Sequence, residues 1–256
     1  MDKPLRGRRI VVTRAREQAR PLAARLEAEG ATPVRFPTIR FAPMPDPAPL
    51  DGVLARLGAY DLLVFTSANG VRFFMDRVEA LGVPVPKRAR IAAVGTATAE
   101  ALERHGLRAD FVPGIFTAER LADGLGDVSG RAVLLPQAEI ARKTLAHALA
   151  AAGARVDAVP VYRTLPARPT AEEHAALDAG ADALTFASPS SVRGFVALLG
   201  DRAHSLAEAA LVACIGPVTA AAADAHGLRP GLVPEVHTAD GLVDALTEHF
   251  SETHTV

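Results

Sequence analysis

The chain contains itself twice, and this duplication limits the folds open to it more than any other feature. Gly7-Arg8-Arg9-Ile10-Val11-Val12, followed by Gly30 and Pro37-Thr38-Ile39-Arg40, returns 123 positions later. The second copy reads Gly130-Arg131-Ala132-Val133-Leu134-Leu135, Gly153 and Pro160-Val161-Tyr162-Arg163. A second pair lies 121 apart, where Asp61 to Ser67 with Val71-Arg72 matches Asp182 to Ser188 with Val192-Arg193. Ile91 to Pro113 likewise matches Val212 to Pro234. Repetition at this length predicts two similar domains of about 120 residues, and paired domains commonly bind a ligand between them.

Short apolar runs alternate with Ala/Leu/Arg segments at helical spacing, the pattern of βαβ units around parallel sheets. Ile10-Val11-Val12 reads as a buried strand, Glu17 to Glu29 as an amphipathic helix with Leu22 and Leu26 inward and Gly30 as its cap, and Val34-Arg35-Phe36 as the next strand. Val133 to Leu135, a helix carrying Leu145 and Leu149, and Val156 to Val159 repeat it. Leu62 to Phe65 and Ala183 to Phe186 are further strands, as are Ile91 to Val94 and Val212 to Ile215. Short strands at Ala109 to Val112 and Gly231 to Val233 follow, then helices capped by Thr117 and Thr238 with Leu121 and Leu242 inward.

The order along the chain is first unit, second unit, first unit, second unit. Either each half is a domain, or the first unit pairs with the last and the middle two form an insertion. Pro-rich stretches after Arg40 and Arg163 mark domain crossings and favour the second arrangement. The fold expected is α/β: two Rossmann- or flavodoxin-like parallel-sheet domains joined by a two-stranded β linker, the first domain discontinuous. Domain A would cover 1–37 and 166–256, domain B 43–160, with linker strands at 38–42 and 161–165.

Composition excludes several classes. Hydrophobic content of 49% and charged content of 22% fit a soluble globule. A net charge of −1 argues against a nucleic-acid partner. The start of the chain has no apolar signal region, and no run approaches the roughly 18 apolar residues of a membrane span, so a cytoplasmic location is expected. Cys214 is the only cysteine, which rules out an intrachain disulfide and suits a small buried hydrophobe. All but three of the 28 basic residues are arginine, a bias that suits an anionic ligand, although genomic composition gives the same bias.

In open parallel sheets ligands bind beyond the carboxyl ends of the strands. The residues there are paired between copies: Thr13-Arg14 with Pro136-Gln137, Ser67-Ala68-Asn69 with Ser188 to Ser191, and Gly95-Thr96 with Gly216-Pro217. Each is a helix N-cap first; together they favour anion binding at helix N-termini. Arg14, Ser67, Asn69, Gly95, Thr96, Ser188, Ser190, Gly216 and Thr219 are the candidate binding residues. Neither the dinucleotide fingerprint nor the P-loop pattern occurs, and no cluster has metal-ligand spacing. His105 and His226 fall at helix C-termini, while His249 and His254 belong to a polar tail. Tyr60 reads as packing. Tyr162 stands in the second crossing where its repeat partner is Ile39, and it is either a half-covered amphipathic residue or a phenol able to donate a proton.

In both copies and in order, Phe65-Thr66-Ser67-Ala68-Asn69-Gly70-Val71, Ala93-Val94-Gly95-Thr96 with Thr98, Val161-Tyr162-Arg163, Phe186-Ala187-Ser188-Pro189-Ser190 and Ile215 to Ala220 make the chain resemble the uroporphyrinogen-III synthase family over nearly its full length. The resemblance implies two α/β domains, the first discontinuous, with the active site in the cleft between them. It implies a cofactor-free cyclisation of hydroxymethylbilane, a linear tetrapyrrole with eight carboxylates. Loss of the terminal hydroxyl gives an azafulvene cation, attack at the substituted carbon of ring D a spiro intermediate, and rearrangement the macrocycle with ring D inverted. Tyr162 matches the family's proposed proton donor, and Ser67, Ser188 and Thr219 match cleft positions. One departure is Gln137-Ala138, where many members have Arg-Gly. A monomer is expected. The alternative is a non-catalytic two-domain binder of a small anion; a glycosyltransferase-like enzyme would require a nucleotide-diphosphate signature that the chain lacks.

Overall fold

The computed structural model describes residues 3–114 and 124–252. The expected helix over Thr117 and Leu121 and the tail residue His254 lie outside these residues. In chain order the first elements are β1 (Arg9–Val12), α1 (Arg16–Ala28), β2 (Thr32–Arg35), β3 (Ile39–Pro43), α2 (Ala48–Leu54), β4 (Leu62–Phe65), α3 (Ala68–Leu81), β5 (Arg90–Ala93) and α4 (Thr96–Glu103). They are followed by β6 (Ala132–Ala138), α5 (Thr144–Ala151), β7 (Arg155–Pro166), α6 (Ala171–Asp178), β8 (Ala183–Phe186), α7 (Pro189–Leu199), α8 (Asp201–Ala209), β9 (Leu211–Cys214), α9 (Pro217–Ala225) and α10 (Ala239–Glu252). The chain divides into two compact units, Met1–Phe41 with Leu165–Val256, and Ala42–Thr164.

The first unit holds a parallel sheet in the order β2-β1-β8-β9. A bridge from Ala213 to Leu232 adds a fifth position, which completes the 2-1-3-4-5 order of flavodoxin-like sheets. Its strands are apolar on both faces because helices cover both, and alternate residues of β1 separate accordingly. Ile10 and Val12 pack with Leu22 and Leu26 of α1 and Leu242 and Leu246 of α10. Val11 packs on the opposite face with Leu184, Phe186, Leu177 and Phe195. α1 forms because Ala19, Leu22, Ala23 and Leu26 make one apolar stripe at i, i+3, i+4 and i+7, and Gly30 takes the left-handed conformation (φ 94°) just past its end.

The second unit has the order β3-β7-β6-β4-β5, with a bridge from Ala92 to Phe111 beyond β5. Since β6 and β7 are the copies of β1 and β2, and β4 and β5 those of β8 and β9, the spatial order of the duplicated strands is the same in both units. Only the order along the chain is permuted. Leu62, Val64, Val133, Leu135, Leu145 and Leu149 form one core of this unit.

Two expectations need correction. The segment 161–165 is not a separate linker strand but the end of β7, which runs unbroken for 12 residues. Strands expected at 109–112 and 231–233 shrink to single bridges at Phe111 and Leu232, each followed two residues later by a proline that cannot donate to a ladder. His105 stands just past the end of α4 as expected, with its Nδ1 3.1 Å from Glu79 Oε1. Among the described residues no helix is long and apolar enough to cross a membrane.

Candidate active site

The carboxyl ends of the strands are fixed by buried hydroxyls in the first unit. Thr13 Oγ1 donates to the Thr185 carbonyl at 2.7 Å, and Thr185 Oγ1 donates to the Val11 carbonyl at 2.6 Å. Thr38 Oγ1 lies 2.9 Å from the Ser191 carbonyl and 3.1 Å from that of Thr13. All four residues are essentially inaccessible, so their hydroxyls must be satisfied internally. α7 approaches this network at Gly194, where a Cβ would stand 2.5 Å from the Thr38 carbonyl oxygen.

These ties hold Arg14, Ser188, Ser190, Gly216 and Thr219 at the strand ends of the first unit. Ser188 caps α7 by accepting from Ser191 N–H at 3.1 Å, while Ser191 Oγ accepts from Ser188 N–H at 3.2 Å, a closed capping box. Ser190 Oγ accepts from Arg193. Gly216 caps α9, and Thr219 is buried in that helix's first turn. Arg14 is half-buried, and desolvation pulls its guanidinium below the usual arginine range.

In the second unit two of the expected residues meet. β7 slips in register against β6, with Gln137 opposite Pro160 but Ala138 opposite Tyr162. A one-residue register shift of this kind is a usual way to re-aim a side chain along a strand. Tyr162 is 7% exposed, and its hydroxyl lies 3.3 Å from Ser67 Oγ. Ser67 is the N-cap of α3 and accepts from Gly70 N–H at 3.0 Å. Gly70 leaves little room, since a Cβ there would stand 3.2 Å from Ser67 Oγ and 3.3 Å from the Pro136 carbonyl oxygen. Asn69 lies in the first turn of α3, and Gly95 and Thr96 begin α4 at the end of β5.

Sequence reasoning missed Phe73, whose ring stacks on Tyr162 at 5.4 Å with 13° between planes. The Arg72 guanidinium lies 4.4 Å from the Phe73 ring centroid. The usable signal was that Phe73 falls off the apolar stripe Val71, Phe74, Met75 and Val78 of its helix, and an aromatic residue outside the core face invites explanation.

The other two singled-out side chains are inert. Cys214 is fully buried and burial pushes its thiol up to about 12, so it is no nucleophile at neutral pH. Burial first, and then its hydrogen bond to Asp157, push the Tyr60 phenol up to about 12. Among the described residues no group of three or more His, Cys, Asp or Glu side chains could hold a metal ion.

Residues 20–244 match the family model described as "Uroporphyrinogen-III synthase HemD". The chain is 32% identical to the uroporphyrinogen-III synthase of Synechococcus elongatus, covering 98% of this chain and 99% of that protein. It is 34% identical to the porphyrin biosynthesis protein HemD of Ruminiclostridium josui, covering 97% of this chain but 50% of that longer protein. Among solved structures, a mutant uroporphyrinogen III synthase of Thermus thermophilus matches with a TM-score of 0.65 and 28% identity, over 96% of this chain and 100% of that one. With a family model spanning most of its length and relatives above 30% identity end to end, the chain belongs to the uroporphyrinogen-III synthase family.

Proposed function

We propose that this chain cyclises hydroxymethylbilane to uroporphyrinogen III, with Tyr162 giving the proton on which the terminal hydroxyl leaves as water. The single observation that carries the role of Tyr162 is the pairing of its hydroxyl with Ser67 Oγ, 3.3 Å away, on a bulged strand. Ser67 Oγ already accepts from Gly70 N–H. When its own proton is directed at the Tyr162 oxygen, Ser67 orients the phenol as a proton donor. The position at the start of α3, where backbone N–H groups converge, also favours the phenolate left after transfer.

The atoms balance. Proton transfer to the hydroxyl releases water and leaves an azafulvenium cation; the ring D carbon attacks it, the spiro intermediate rearranges, and the proton lost on rearomatisation restores the phenol. Net loss of water changes no oxidation state. The bilane closes by itself to the unflipped isomer, so the protein's larger task is to hold the chain in the conformation that inverts ring D. Names of the matched relatives favour this reading over a non-catalytic anion binder. A monomer acting in the cytoplasm completes the proposal; light scattering on the purified chain tests the first part.

The decisive assay incubates the purified chain with hydroxymethylbilane and separates the oxidised products by isomer. Type III product in proportion to enzyme is expected. Type I product alone, at any enzyme concentration, overturns the reading.

A further inference from the structure

Two guanidinium groups in the first unit have no counter-charge, and they share one small cavity. Arg14 follows β1, Arg35 ends β2, and both line a space of about 200 Å³ with Arg16, Ala19, Pro37 and Glu173. Arg16 is engaged: its Nη2 lies 2.5 Å from Glu173 Oε2 and 3.3 Å from the Arg168 carbonyl oxygen. Glu173 is fixed in turn, because the same oxygen accepts from Thr170 N–H in the capping box of α6. That pair offsets its own charge and forms one wall of the space. Among the described residues neither Arg14 nor Arg35 has a hydrogen-bond or ion-pair partner.

A half-buried guanidinium cannot shed its proton, so its desolvation is offset only by an anion. The cavity falls below the ~300–1,000 Å³ typical of pockets that enclose a whole small molecule. It suits one arm of a larger ligand. The planar forks of arginine are made for bidentate contact with a carboxylate.

We propose that Arg14 and Arg35 form a subsite for one carboxylate arm of the linear tetrapyrrole. The inference rests on the proposed function for its ligand and on the cavity for its place. It also assigns a role to Arg35, which lies at the rim, and gives Arg16 and Glu173 the part of positioning residues. The repeat counterparts of Arg14, Arg16 and Arg35 in the second unit are Gln137, Glu139 and Ala158, so the duplicated turn there has no equivalent subsite.

The test compares wild type with Arg14→Gln, Arg35→Gln, Arg14→Lys and, as a control of equal charge change in the second unit, Arg108→Gln. Steady-state KM for hydroxymethylbilane and Kd for uroporphyrin III, its stable octacarboxylate probe, are read at low and high salt. A rise of about tenfold or more in both constants is expected for each Gln variant, the scale of a lost charge-assisted pair. Arg14→Lys should recover part of the loss, and the salt dependence of Kd should flatten in both Gln variants but not in Arg108→Gln. Arg35 is exposed, so Arg35→Gln decides the matter even if Arg14→Gln does not fold. KM and Kd within twofold of wild type for Arg35→Gln overturn the subsite while leaving the synthase reading intact. Type I product from wild type would overturn that reading, and the Kd series would still report on the arginines.

Discussion

Ser67 and Ser188 hold the same place in the two copies, and the turns they begin have diverged in one residue that matters. Each caps a helix, of 14 and 11 residues respectively. Three positions on, the second turn has Ser191 and the first has Gly70. Ser191 returns a hydrogen bond to the Ser188 N–H and is buried at 1% exposure, so that hydroxyl pair is closed on itself. Gly70 has nothing to return. Its missing side chain keeps Ser67 Oγ open to the Tyr162 hydroxyl, and Tyr162 itself stands where the other copy has Ile39. Duplication thus supplied one scaffold twice; in one copy the two serines of the turn bond each other's backbone, and in the other the serine meets Tyr162.

Replacing the phenol should break this comparison most severely. Tyr162→Phe is expected to lower kcat by about 10²-fold, within the range for loss of a single general acid, while Ile39→Val at the equivalent site leaves kcat unchanged. Single-turnover rates with isomer analysis check both. Gly70→Ser makes the first turn resemble the second. Its Cβ would crowd Ser67 Oγ and the Pro136 carbonyl, so kcat should fall by roughly tenfold with α3 still capped, read as activity against an unchanged far-ultraviolet spectrum.

Deleting the caps gives a smaller effect. Ser67→Ala and Ser188→Ala should each destabilise the protein by about 1 kcal/mol, the usual cost of an N-cap, since each removes the oxygen that accepts from the N–H three positions on, while the bonds of Ser191 Oγ to the Ser188 backbone survive. Urea unfolding measures both losses, and an unchanged midpoint in either variant would mean that its cap adds nothing to stability.

The smallest effect concerns the second tyrosine of the same unit. Tyr60 titrates near 12 in the fold against 10.0 for a free phenol. The folded value is the higher one, so its contribution to stability is complete below pH 10 and is lost as pH rises towards 12. The Tyr60→Phe variant should show a flatter fall in urea midpoint between about pH 10 and about 12.

Much of this was legible in the sequence because buried parallel strands are near-continuous apolar runs. Leu62 to Phe65 and Ala183 to Phe186 were located to the residue. The repeat also showed which loops correspond, and so placed Ser67 and Ser188 at strand ends and Tyr162 in the second crossing. What escaped depends on pairing in space. The bulge opposite Gln137 is invisible in a single strand, and the stack of Phe73 on Tyr162 joins a helix to a strand 89 positions on. Arg14 was a candidate from the sequence, but Arg35 reads as an ordinary exposed arginine until β1 and β2 are laid side by side, which brings both to one cavity. Helix α6, short and with a single buried residue, Leu177, left no periodic trace.

The permuted strand order also sets a timetable for synthesis. β1 takes its inner neighbour from β8, with Ile10 opposite Ala183, so the opening segment waits for most of the polypeptide to emerge from the ribosome. The inserted unit, Ala42–Thr164, has all its own strands by then and can mature first. Until β8 arrives, the β1–α1–β2 piece is a nascent edge with an apolar face uncovered, the point at which a chaperone would be expected to hold the growing chain.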